Sequence, residues 1–443
     1  MAVKPLMLVQ APVATRSGYG NHSRDIVRSL IEMDKFDIKI ASLRWGNCAM
    51  NALDPNLPEH KMIIDRILTS QLNRQPDINV EIRVPNEFQK VGKYNIGITA
   101  GMETTLISKE WVDGLNRTDL VIVPSEHSKN VFLSTKYTQV NQQTQQPTGE
   151  LKVEKPVEVL FEGADLNTYK KTKDIPKELN KTLNSIKEDF NFLFVGHWLK
   201  GTMGQDRKDV GMLIKVFLET FKNKQNAPGL ILKTSGATFS IIDRDEIENK
   251  IAEIKKTVKN AKYLPNIYLL HGDLTDEEVN SLYNHPKCKA HVSFTKGEGF
   301  GRPLLEASLS QKPVIASAWS GQLDFLDKNL STLLPGQLTD VHESAAWDKV
   351  ILKESKWFTV NYQVASKVLS DVYNNYDKYS SKAVRQGLKN QKDFSYEKMH
   401  ADFSKMLDKY IPKLSQEIPI TLPKMELPKL NQEGKNETAN AKV

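Results

Sequence analysis

Cysteine is almost missing from this chain: Cys48 and Cys288 are the only two among 443 residues. That is too few for a disulfide scaffold or a cysteine metal site, and it fits a reducing compartment such as the cytosol. No apolar run reaches the ~20 residues that span a bilayer. The apolar stretch Leu6 to Val9 is broken by Gln10 and Pro12, too early for a secretory signal. The expectation is a soluble cytoplasmic protein. Clustered His and Asp residues of the kind that hold a divalent ion are also absent, so no cofactor and no obligatory metal is expected. A dinucleotide fingerprint is incomplete. Gly18 and Gly20 follow the first strand, but the third glycine of the pattern is lacking. The second strand, ending near Ser42-Leu43, lacks the acidic residue that would bind an adenosine ribose. A dehydrogenase is the weaker reading.

What is present describes an ordinary globular chain. Its 39% hydrophobic and 26% charged residues are enough to build cores, and its length allows two domains. The net charge of +7 favours an anionic ligand or surface, but there is no aromatic–basic motif for nucleic acid. The most informative stretch runs from Ala290 to Gly321. His291 to Phe294 reads as a buried strand, followed by a turn with Gly297, Gly299 and Gly301 that lets backbone approach a ligand. Pro303 suits the first turn of a helix with Leu304, Leu305 and Leu309 on its apolar side, and Val314-Ile315-Ala316 begins the next strand. This is one βαβ unit of a doubly wound sheet, with Glu298 in the turn and Glu306 in the helix. Two carboxylates at the carboxyl edge of a strand suit hydrogen bonding to a polyol such as a sugar or ribose.

The sequence from Glu298-Gly-Phe-Gly-Arg-Pro-Leu-Leu-Glu306-Ala to Lys-Pro-Val-Ile-Ala-Ser and Ser-Gly resembles the donor site of retaining GT-B glycosyltransferases, the glycosyl transferases group 1 family. The resemblance implies an α/β GT-B fold, two Rossmann-like doubly wound domains facing a central cleft. It implies a hexosyl- or pentosyltransferase that uses a nucleoside diphosphate sugar without an obligatory metal. Glu298 would contact the donor sugar and Glu306 the nucleotide ribose. The backbone of Gly299, Phe300 and Gly301 would meet sugar and phosphates, and Gly18 and Gly20 would face the diphosphate across the cleft. The family's Gly-Arg after the first strand of the donor domain is replaced here by Gly196-His197. Arg207 and Lys208 are the expected diphosphate cations.

Further pieces extend this reading. Glu103, beyond the strand Asn95 to Thr99, is a candidate to orient or deprotonate an acceptor hydroxyl. The alternative for it is a loop or cap carboxylate. Ser125 is a plausible N-cap, Thr275 with Glu278 a capping box, and Ile247, Ile251 and Ile254 a core stripe. Tyr137 to Lys155 reads as an exposed polar loop and Pro176 to Asp189 as a charged connection. The expected organisation is an acceptor-side domain over 1–175, a donor domain over 190–390, a helix crossing back over 391–411, and a disordered tail over 412–443. Candidate acceptors are a glycan, a lipid-linked sugar, a protein or a modified DNA base. The rival readings are a nucleotide-sugar binding protein without turnover, and a phosphorylase or synthase acting on a small acceptor.

Overall fold

The computed structural model describes residues 4–236 and 238–413. From residue 414 onward, the expected tail lies outside the described residues. In chain order the first half contains β1 (Leu6–Ala11), α1 (Gly18–Glu32), β2 (Asp37–Ser42), α2 (Pro58–Ile64), β3 (Ile78–Ile82), β4 (Tyr94–Ile98), α3 (Lys109–Asn116), β5 (Leu120–Val123), α4 (Glu126–Ser134), the hairpin β6 (Lys136–Val140) and β7 (Pro147–Lys152), and β8 (Val157–Val159). The second half contains α5 (Lys177–Asn184), β9 (Asn191–Val195), α6 (Val210–Phe221), β10 (Gly229–Lys233), α7 (Ile241–Lys256), β11 (Ile267–Leu270), α8 (Asp276–Asn284), β12 (Cys288–Ser293), α9 (Arg302–Leu309), β13 (Val314–Ser317), β14 (Thr332–Leu334), the ribbon β15 (Gly336–Asp340) and β16 (Lys356–Val360), α10 (Tyr362–Asn374), α11 (Tyr376–Asp393) and α12 (Tyr396–Tyr410).

Two parallel six-stranded sheets result, in the orders β2-β1-β3-β4-β5-β8 and β11-β10-β9-β12-β13-β14. Their strands are apolar on both faces because helices cover both sides. In the second sheet Phe192 and Phe194 of β9 join a core with α6 and α10, while Leu193 joins the opposite core with α5 and α9. In the first sheet Leu120 and Ile122 of β5 face one core, and Val121 and Val123 the other. Each sheet reverses its winding beside its first strand, between β1 and β3 and between β9 and β12. Ligands of open α/β sheets bind outside the carboxyl ends at such reversals.

Several sequence expectations change. The strand β3 sits between β1 and β4, and its INVEI sequence, interrupted by Asn79 and Glu81, hides the apolar run that would mark it. The stretch 137–155 is exposed, but it forms the β6–β7 hairpin rather than a loop, held by an antiparallel ladder and by Tyr137 donating to the Ile107 carbonyl. The connection 176–189 contains α5, whose Leu179 and Leu183 are buried. The first helix starts at Gly18, because the Ser17 Oγ accepts from the Gly20 amide and caps it. The caps at Ser125 and Thr275, and the core stripe on α7, are as expected.

Helix α12 places Met399, Phe403 and Leu407 in the core of the first sheet. Near the cleft, residues 297–301 press against 100–103. A Cβ at Gly297 would lie 1.9 Å from the Glu103 carbonyl oxygen, and one at Gly299 2.0 Å from that of Ala100. At Gly297 and Gly299 it is the backbone of the other domain that comes this close. The Ser125 hydroxyl seals the contact by donating to the Gly299 carbonyl at 2.5 Å. Gly299→Ala should therefore push the domains apart or strain them, at a cost of about 1–3 kcal/mol. A larger radius of gyration by small-angle scattering, or a lower Tm, is expected. An unchanged profile and an unchanged Tm would contradict this packing.

Candidate active site

The carboxyl end of β9 runs into a long loop that returns at Arg207-Lys208-Asp209 before α6. Two interactions fix that return. The Lys296 amide donates to the Arg207 carbonyl at 2.8 Å, and the fully buried Lys296 ammonium lies 3.4 Å from the Asp209 carboxylate. Asp209 itself has a left-handed backbone (φ 52°) and accepts from the Tyr362 hydroxyl at 2.7 Å. A non-glycine residue held in that region marks a position fixed by its surroundings. Arg207 and Lys208 are thereby tied to the glycine turn after β12.

Four of the sequence-predicted residues meet there. The Lys208 ammonium hydrogen-bonds one oxygen of the Glu298 carboxylate. Arg207 Nη1 reaches the other Glu298 oxygen at 3.4 Å, the Gly297 carbonyl at 3.1 Å and the Glu103 carboxylate at 3.6 Å. The Glu298 amide donates to the Ser320 hydroxyl at 2.9 Å, and the Gly321 amide donates to the Glu298 carbonyl at 3.0 Å. Ser320 also has a positive φ of 75°. Burial acts to raise the Glu298 pKa, but Lys208 and Arg207 outweigh it and hold the carboxylate below its usual range. Glu103 keeps only the weaker contact with Arg207. Burial raises its pKa against that pull, which gives it the greater affinity for a proton.

The other donor-side residues have different surroundings. Glu306 is 6% exposed and accepts from Arg302 Nε at 2.9 Å, while Arg302 Nη1 crosses the cleft to Asp25 of α1 at 2.5 Å. Glu162 is buried nearby and also feels Arg302. One guanidinium faces three carboxylates, and burial raises both Glu162 and Glu306 to about 7. The sequence reading missed Arg302, Asp25 and Glu162. Only Arg302 carried a signal, since it precedes Glu306 by four residues and so shares its helix face. The Phe300 ring packs on Phe325 and Phe394, which leaves its backbone at the turn. Gly301 caps α9 with φ 101°. Gly18 and Gly20 lie in the first turn of α1, and a Cβ on Gly20 would come within 2.2 Å of the Thr15 carbonyl oxygen, whereas Gly18 has open space. His197 hydrogen-bonds through Nδ1 with Ser235 and Gly236, in a structural setting. Among the described residues, no group of three or more His, Cys, Asp or Glu is placed to hold a metal ion, and no helix is long and apolar enough to cross a membrane.

Glu162 gives a prediction with a defined sign. Its folded pKa is raised from 4.5 to about 7, so the native state binds the extra proton between those values. Stability should therefore fall as pH rises through that window. Glu162→Gln should remove much of the loss, stabilising the protein at pH 8 relative to pH 5 by on the order of 1–3 kcal/mol. Thermal denaturation of both proteins at the two pH values checks it, and an equal shift at both would contradict the assignment.

Known proteins support the architecture. Residues 151–353 match the family described as Glycosyl transferases group 1. Comparison with curated protein sequences gives no match. Among solved structures, HepE from Anabaena in complex with UDP and glucose has a TM-score of 0.58 at 13% identity, over 91% of this chain and 100% of that one. Sucrose-phosphate synthase from Thermosynechococcus elongatus has a TM-score of 0.59 at 12% identity, over 92% and 98%. An Escherichia coli trehalose-6-phosphate protein bound to UDP-2-fluoro glucose has 0.56 at 12% identity, over 92% and 100%. At such identities the likeness establishes the fold. With two Rossmann-like domains the chain has the GT-B fold, and its residues 151–353 are similar to the glycosyl transferases group 1 family.

Proposed function

We propose that the protein transfers a sugar from a nucleoside diphosphate sugar to an acceptor hydroxyl, with retention of configuration. The observation that carries this reading is the buried set of Arg207 and Lys208 against Glu298 and Glu103, at the carboxyl edge where the winding of the second sheet reverses. Two cations held by two carboxylates form an exchangeable anion site. A diphosphate would take over Arg207 and Lys208, which would stabilise the charge growing on the leaving group. Glu298, released from Lys208, would accept hydrogen bonds from the sugar hydroxyls and fix the ring, rather than attack it.

Glu306 would hold the ribose, with Arg302 setting its orientation. The first turn of α1 at Gly18 and Gly20 would face the diphosphate, with open space at Gly18, and the backbone of Gly299, Phe300 and Gly301 would complete the donor contacts. Glu103, with its raised proton affinity, is suited to orient or deprotonate the acceptor hydroxyl. The leaving phosphate could also take that proton, with donor and acceptor on one face. No pair of carboxylates flanking the bond, as in hydrolases, is then required. The two cations neutralise the diphosphate in this scheme, so no obligatory metal is invoked. The solved relatives that hold UDP or UDP-2-fluoro glucose make UDP-glucose the first donor to try.

The test is nucleotide release from UDP-, GDP- and ADP-sugars, alone and with candidate acceptors. Lys208→Ala and Glu298→Ala should each lower the rate by about 10²-fold or more, the loss that accompanies removal of one charge-stabilising group. Full activity in Lys208→Ala would overturn the donor assignment. Tight donor binding with no release under any condition would support the binding-protein reading instead.

A further inference from the structure

A second concavity opens on the Glu103 side of the cluster. It is a groove of about 550 Å³ between α4 and the segment after β13, lined by Thr105, His127, Asn130, Leu133, Ser134 and Trp319. Both domains contribute to it. Thr105 lies two residues beyond Glu103, and Trp319 directly precedes Ser320, whose hydroxyl holds the Glu298 amide. The groove walls are pinned across the cleft: the Thr105 amide donates to the Lys356 carbonyl at 2.9 Å, and the Glu126 amide donates to an Asp324 oxygen at 2.9 Å.

Its chemistry is specific. None of its lining residues carries a formal charge. The indole of Trp319 stacks on Phe358 and meets the His127 ring edge-on at 4.6 Å, which fixes its plane. Burial holds His127 neutral, lowering its pKa to about 4. Leu133 is 45% exposed. The lining therefore combines a fixed aromatic face with hydroxyl, amide and imidazole groups. Rings that carry both apolar C–H faces and hydroxyl edges fit such a surface. A phosphate backbone does not, because it requires lysines or arginines, and none lines the groove.

We propose that this groove binds a neutral oligosaccharide acceptor, with a sugar ring on Trp319 and its hydroxyls toward Asn130, Ser134 and Thr105. The inference rests on the transfer reaction proposed above, and it selects a glycan among the possible acceptors. A chain seated here would extend from the groove toward Glu103, where its terminal hydroxyl meets the donor.

Two measurements test it: direct binding of maltotetraose, cellotetraose, xylotetraose and chitotetraose by saturation-transfer NMR, and the stimulation of nucleotide release by the same glycans. At least one glycan should bind and stimulate. Trp319→Ala should raise its KM about tenfold, in line with loss of one buried aromatic contact, with a smaller change in kcat. Trp319→Phe should recover most of the loss. Asn130→Ala, at an exposed position, should raise KM without lowering Tm. Glycan binding that is lost in Trp319→Ala, without nucleotide release by the parent protein, would sustain the groove and refute the transfer reaction. Release stimulated by a peptide, a lipid-linked sugar or DNA but by no glycan would overturn the groove and leave the transfer reaction standing. Glycan binding and KM unaltered in all three variants would also overturn it.

Discussion

The close approach of the 297–301 turn to residues 100–103 organises the cleft. Backbone meets backbone there, with no room for a Cβ at Gly297 or Gly299. The contact brings Glu103 of the first domain beside Arg207 and Glu298 of the second. A cluster assembled across two domains depends on the distance between them. Any change that separates the turn from 100–103 should remove Glu103 from the cations before it disturbs either sheet.

Charge balance within the closed cleft has two parts. Around Arg207 and Lys208 the carboxylates of Glu298 and Glu103 match the cations in number, and the buried Lys296–Asp209 pair anchors the loop beneath them. Around Arg302 the carboxylates of Asp25, Glu306 and Glu162 exceed the single guanidinium, and burial holds two of them near neutrality at about 7. Breaking either set would leave buried charge without a partner, which is the costly outcome in a low-dielectric interior. In the proposed reaction an incoming diphosphate would change the first set by substitution and leave the second to grip the ribose. The two glutamates eight residues apart thus sit in different electrostatic environments on one turn and one helix.

Much of this was legible in the sequence where local pattern and tertiary role agree. The turn and helix around Glu298 and Glu306 were readable because a strand, three glycines, Pro303 and a leucine face all point to one βαβ unit. Arg207 and Lys208 stand just before an apolar helix, and the structure brings both to Glu298. Other features depend on partners distant in sequence. Nothing local shows that Arg302 pairs with Asp25, 277 residues away, or that Glu162 is buried. Strand β3 was hidden by Asn79 and Glu81, polar residues that are satisfied in the interior by one another and by Gln10 and Arg83. The hairpin at 136–152 was hidden because its exposed strands need no apolar alternation.

In the proposed reaction Arg207 and Lys208 form a diphosphate site that Glu298 and Glu103 occupy until donor arrives. Calorimetric titration of the protein with uridine, UMP and UDP, repeated at rising salt, tests it most directly. The account predicts affinity in the order UDP, UMP, uridine, with at least about tenfold between the first and last and a clear loss of UDP affinity as salt is raised. Equal binding of uridine and UDP, independent of salt, would contradict it.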